Sequence, residues 1–257
     1  MQNANETVAG ADAGADNAGA SGRLINLIEA GAVFAGQHYF STLALALAAG
    51  AGIVLPDQPV LKHTYLLFVF VLIVMLWLKL RGEIWSAFGL IAPKRWGRYL
   101  VFGLLLAVGM VALDQAVRSV TTPIIVAWTG ANPHLDAEAF AALKGNFWLT
   151  ASVISTVWVY AAFGEEFLFR GYLLTRLAQI FGGGQAAWTL AVIGQAIAFA
   201  LAHAYQGPVG MVPIGIGALV SGTVVSAWGR NLWPVMVAHG LIDTLGLSMF
   251  YLGQTQS

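Results

Sequence analysis

Residues Ala161–Leu174 read AAFGEEFLFRGYLL, placing two adjacent glutamates and an arginine in an otherwise apolar run. The composition around this stretch decides how those charges must be housed. Hydrophobic residues make up 58% of the chain and charged residues 9%, with a mean hydropathy of +0.75, whereas soluble domains carry about 25% charged residues. Such a chain is a membrane protein. Apolar segments recur from about residue 32 to the C-terminus, which fits one all-α polytopic transmembrane bundle in 257 residues, with no second domain visible.

Working outward from the charged run, seven apolar segments lie at roughly 32–55, 64–80, 99–118, 147–169, 187–204, 211–228 and 233–252. If the N-terminus is cytoplasmic, Arg23, Lys79, Arg81, Lys94, Arg95, Arg98, Arg170, Arg176 and Arg230 fall inside. Lys62, Arg118 and Lys144 fall outside, and this nine-to-three bias predicts a multi-pass protein of a cell inner membrane in that orientation. Trp77, Trp85 and Trp96 bracket one basic loop, and Trp228 and Trp233 bracket Arg230, as interfacial anchors do. Between the second and third spans, RGEIWSAFGLIAPKRW (81–96) mixes aromatic and basic residues and is expected to lie along the interface as an amphipathic helix.

Residues 1–22 are rich in Ala, Gly, Asn and Asp, carry no basic residue and lack the apolar core of a signal peptide, so they are expected to form a disordered tail. Membrane helices with the interfacial segment then occupy 23–146, and the helices bearing the charges occupy 147–257. The absence of cysteine excludes disulfides, thiolate metal sites and a cysteine nucleophile, leaving His, carboxylate and hydroxyl groups for any chemistry.

A lone charge within a membrane helix costs from about 3 to more than 10 kcal/mol, so partners are needed. Glu166 and Arg170 are four apart and share a helical face, while Glu165 points about 100° away. A turn at GGGQ (182–185) would fold the next segment back, and the positions of Glu165 and His203 average 184, which predicts that they sit at equal height. His239 and Asp243, in HGLID, are again four apart. Because His239 lies close to Trp233, it can join the others only if the hairpin apex protrudes and YQGPVGMVP (205–213) dips into the membrane. Asp114 and Arg118 read as a structural pair. His38, His63 and His134 read as incidental.

In order along the chain, EEFLFR fits E-E-x-x-x-R, FALAH fits F-x-x-x-H and HGLID fits H-x-x-x-N/D. Over roughly residues 147–252 the sequence resembles the CPBP family of intramembrane proteases, which includes the CAAX prenyl endopeptidases and bacteriocin-processing or immunity homologues. The resemblance implies that Glu165 activates the attacking water, that His203 assists it, and that His239 and Asp243 support the oxyanion, with Glu166 and Arg170 completing the catalytic set. It also assigns Phe199 to substrate binding. Asp243 stands where the prenyl-protein endopeptidases have Asn; an ionised Asp accepts but cannot donate a hydrogen bond, so orienting His239 is its expected role.

Glu165, His203 and His239 would also make a familiar zinc ligand set. No spare carboxylate is then clearly placed as base, which favours metal-free catalysis with Glu165 as base. No cofactor is therefore expected, zinc being the alternative. The expected partners are a membrane-associated protein or peptide substrate and the bilayer, with no nucleic acid. The rival reading is a transporter or scaffold using the same buried charges, for which GPVGMVP (207–213) would supply a broken helix. A prenylated tail, a bacteriocin leader and a membrane signalling protein all remain candidate substrates.

Overall fold

A computed structural model describes residues 3–52, 59–132 and 140–254, with side chains described from residue 21 onward and outside 53–64. Among the described residues there are seven long helices and no strand: α1 Asn3–Gly50, α2 Pro59–Leu80, α3 Trp96–Thr129, α4 Phe147–Ile180, α5 Gln185–Ala202, α6 Gly207–Ala227 and α7 Trp233–Tyr251. The apolar parts of α1, α3, α4, α5 and α6 are long and apolar enough to cross a membrane, the apolar stretch of α2, Tyr65–Leu80, is shorter, and α7 carries His239 and Asp243 among its apolar residues.

Helix α4 is the centre of the bundle. It packs against α1, α2, α5 and α7, and an unbroken run from Gly164 to Leu174 is buried, as expected of a helix surrounded on all sides. Phe167, Leu168, Phe169 and Tyr172 join Val71, Val74, Met75 and Leu78 of α2 in the main core. Helix α3 is peripheral: 11% of its most apolar window is buried, against 39% for α6, so most of its surface suits lipid. Small residues permit close approach between helices. A Cβ on Gly171 would lie 2.5 Å from the Phe88 carbonyl oxygen, and one on Gly240 would meet the Trp158 indole at 2.5 Å.

The turn expected at 182–185 is present. Gly182 and Gly183 adopt φ of 100° and 80° and reverse the chain into α5, a conformation open to glycine without steric cost. Residues 81–96 differ from the expected amphipathic helix. They form one 3-10 turn, Trp85–Phe88, ended by Gly89 at φ 89°; Pro93 follows before α3 begins. Phe88 is buried against Tyr172 at 5.8 Å between ring centroids, and the Leu232 N–H donates to the Gly89 carbonyl at 3.0 Å. This loop is therefore pinned to the bundle, because its glycines and proline interrupt helix while its aromatic residue gains burial.

The helical backbone of α1 starts at Asn3 and is continuous with its apolar part. Alanine has the highest helix propensity, and adding residues to an existing helix avoids the cost of nucleation. GPVGMVP does not form a broken helix. After a 3-10 turn at Ala204–Gln206, α6 runs continuously from Gly207, with Pro208 in its first turn, where the missing N–H costs no hydrogen bond, and Pro213 inside. The expected irregular segment 205–213 is thus confined to that short turn.

Candidate active site

The charged run of α4 lies in an unusual register. Trp158–Leu173 is a π-helix between α-helical ends. In an α-helix, Glu165 and Arg170, five apart, would point about 140° away from each other. The i→i+5 hydrogen bonds of a π-helix instead make residues five apart near neighbours on one side. Both glutamates consequently act electrostatically on Arg170.

Glu165, Glu166 and Arg170 are 8%, 2% and 4% exposed. The expected pair forms, with Arg170 Nη1 3.3 Å from Glu166 Oε1. Arg170 Nε also donates to Ser221 Oγ of α6 at 3.1 Å, and the guanidinium lies over the Phe199 ring, 3.9 Å from its centroid. Glu166 Oε1 additionally accepts from His239 Nδ1 of α7 at 2.8 Å. His239 Nε2 lies 3.6 Å from Asp243 Oδ2, within ion-pair range but beyond an ordinary hydrogen bond. The result is a chain from Ser221 through Arg170, Glu166 and His239 to Asp243, built from α6, α4 and α7. Glu166, expected to pair only with Arg170, is the centre of that chain.

Glu165 is the carboxylate left over. It forms no ion pair among the described residues, yet His239, Arg170 and Glu166 all act on it. His203 ends α5, where its Nδ1–H donates to the Phe199 carbonyl at 2.9 Å. That bond assigns the neutral ring as the Nδ1–H tautomer and leaves Nε2 as an acceptor. Its charged neighbours include His239, Arg170 and Asp243. Glu165 and His203 thus both feel the charges of His239 and Arg170. Phe199, expected at substrate, stands between Arg170 and His203. It is 5% exposed, packs edge-on against Phe169 at 4.9 Å, and supports Arg170 and His203.

Among the described residues no group of three or more His, Cys, Asp and Glu side chains is placed to hold a metal ion. The conditional set Glu165, His203 and His239 does not fit as it stands, because Nδ1 of His239 is bonded to Glu166 and Nε2 faces Asp243.

Sequence reasoning missed Ser221, which stands in an apolar run without a motif, and the Arg176 network. Arg176 is buried and pairs with Glu83, lies 3.7 Å from Glu29 and holds Gln179 at 3.1 Å, while Arg81 pairs with Glu29. The pairing of oppositely charged residues from α1, the loop after α2 and α4 had no short-range signal. Asp114 and Arg118 form the expected pair at 2.9 Å, apart from the site. His38 packs between Phe34 and Tyr39. The side chain of His63, and His134 altogether, lie outside the described residues.

Fold and site define a multi-pass helical membrane protein with carboxylates, imidazoles and an arginine gathered inside its bundle. Residues 146–245 match the family model of the type II CAAX prenyl endopeptidase, Rce1-like. This part of the chain is similar to Rce1-like domains, in agreement with the CPBP resemblance carried by the three motifs. The match contains Glu165, Glu166, Arg170, His203, His239 and Asp243, and leaves α1 to α3 outside. No curated protein and no solved structure matches the chain.

Proposed function

We propose that this protein is an intramembrane endopeptidase that hydrolyses a peptide bond of a membrane-associated protein or peptide, with Glu165 as general base. The observation that carries this reading is the unequal treatment of the two glutamates: Arg170 and His239 occupy Glu166, while Glu165 forms no ion pair among the described residues. Glu165 takes a proton from water as the water oxygen attacks the scissile carbonyl carbon, and that proton passes to the leaving amine nitrogen as the C–N bond breaks. His203 accepts a hydrogen bond from the water at Nε2 and so holds it in line. His239, carrying a proton on each ring nitrogen between the Glu166 and Asp243 carboxylates, donates Nδ1–H to Glu166 and offers Nε2–H to the developing oxyanion, and a preorganised donor of this kind is worth roughly 3–4 kcal/mol in a water-poor site.

Glu166 is the group that orients His239, and Asp243 assists from further away. The protein sits in the inner membrane with its N-terminus in the cytoplasm, on the strength of the basic-residue bias. The substrate class that best suits the family match is a lipid-modified C-terminal tail. Purified protein in liposomes should cleave a farnesylated Cys-aliphatic-aliphatic-X peptide, or failing that an unprenylated membrane-tethered peptide, and Glu165→Ala should abolish cleavage. Equal cleavage by the variant would refute the assignment.

A further inference from the structure

The π register places a third residue in line with Glu165 and Arg170. Tyr160, Glu165 and Arg170 are spaced by five, and all lie within the π-helical segment Trp158–Leu173. In that register each is the next one's neighbour along one side of the helix. Tyr160 is 7% exposed, and its hydroxyl is buried without a hydrogen-bond partner of ordinary geometry. The polar groups it interacts with are Glu165, Gln37 of α1 and Tyr205. A buried phenol O–H left open costs about 1–3 kcal/mol, so a small adjustment that closes a bond is favoured. Gln37 Oε1 is also buried and unpartnered, but a carboxylate is the stronger acceptor because its bond is charge-assisted.

We propose that Tyr160 is a positioning residue, donating its hydroxyl to one oxygen of Glu165 and thereby aiming the other at the attacking water. Gln37 backs the phenol from α1 and so ties that helix, which lies outside the family match, to the site. The proposal rests on the reading of Glu165 as base, and two independent measurements separate the failure of one from that of the other.

The first is infrared spectroscopy of the full-length protein in phosphatidylcholine/phosphatidylglycerol liposomes. Glu165→Gln identifies the Glu165 carboxyl band by its loss. Tyr160→Phe, which deletes one oxygen and keeps the ring, should move that band to higher wavenumber as the donor disappears. Uniform 3-fluorotyrosine, which strengthens phenols as donors without altering the chain, should move it the other way. A band that stays in place under both changes overturns the proposal, whatever the protein cleaves. The second is cleavage of the farnesylated peptide: Tyr160→Phe should lower kcat about tenfold, the effect of one lost charge-assisted hydrogen bond, with KM unchanged. A raised KM with unchanged kcat would also overturn it. A shifted band in a protein that cleaves neither peptide supports the Tyr160–Glu165 bond and refutes proteolysis.

Discussion

Arg170→Leu tests the charged chain most directly. The guanidinium is 4% exposed and has three partners: Glu166 at 3.3 Å, Ser221 at 3.1 Å and the Phe199 ring face at 3.9 Å. Removing one member of a buried ion pair costs about 3–5 kcal/mol, because the other charge stays buried without compensation. Here His239, 2.8 Å from Glu166, supplies part of that compensation and pulls the expectation to the lower end, about 3 kcal/mol. For a chain of this size, each kcal/mol moves the melting midpoint by about 2–4 °C, so the midpoint should fall by roughly 6–12 °C. Thermal unfolding in detergent, read as loss of helical circular dichroism, measures this. The double variant Arg170→Leu with Glu166→Leu removes both charges and should recover most of the lost stability, since a buried pair replaced by apolar groups is often neutral. Cleavage should remain absent in the double variant, because His239 loses its anchor. A double variant less stable than Arg170→Leu alone would refute the view that the stranded charge is what destabilises.

Glu166 at 2.8 Å, rather than Asp243 at 3.6 Å, holds His239, so Asp243→Asn should retain most peptide cleavage while Glu166→Gln loses it; the opposite order in a kinetic comparison would reverse their roles. Gly171→Ala would put a Cβ 2.5 Å from the Phe88 carbonyl and should destabilise by about 1–3 kcal/mol through overpacking, visible as a lowered melting midpoint with the site residues intact. Because both ring nitrogens of His239 face carboxylates, extensive chelation should leave cleavage unchanged, and stoichiometric zinc whose removal and return switch activity off and on would show that the site rearranges around a metal.

What the sequence determined by itself rests on local physics. Mean hydropathy of +0.75 forces a membrane bundle, GGG at 182–184 forces a reversal, and spacing of four predicts the Glu166–Arg170 and Asp114–Arg118 pairs, all of which the structure contains. The three motifs likewise marked six ionisable residues within the stretch that matches the Rce1-like family model. Tertiary structure decided how those residues are wired. His239 reaches Glu166 across 73 positions of sequence, Ser221 reaches Arg170 across 51, and Phe199 turns inward beneath the guanidinium. The π register that brings Tyr160, Glu165 and Arg170 to one side also escaped a periodicity argument, which assumes 3.6 residues per turn. Spacing along the chain reports which residues share a face only once the helical register is given. Which face meets which neighbour depends on how seven helices fill one bundle, and buried polar groups choose their partners from whatever that packing brings within about 3 Å.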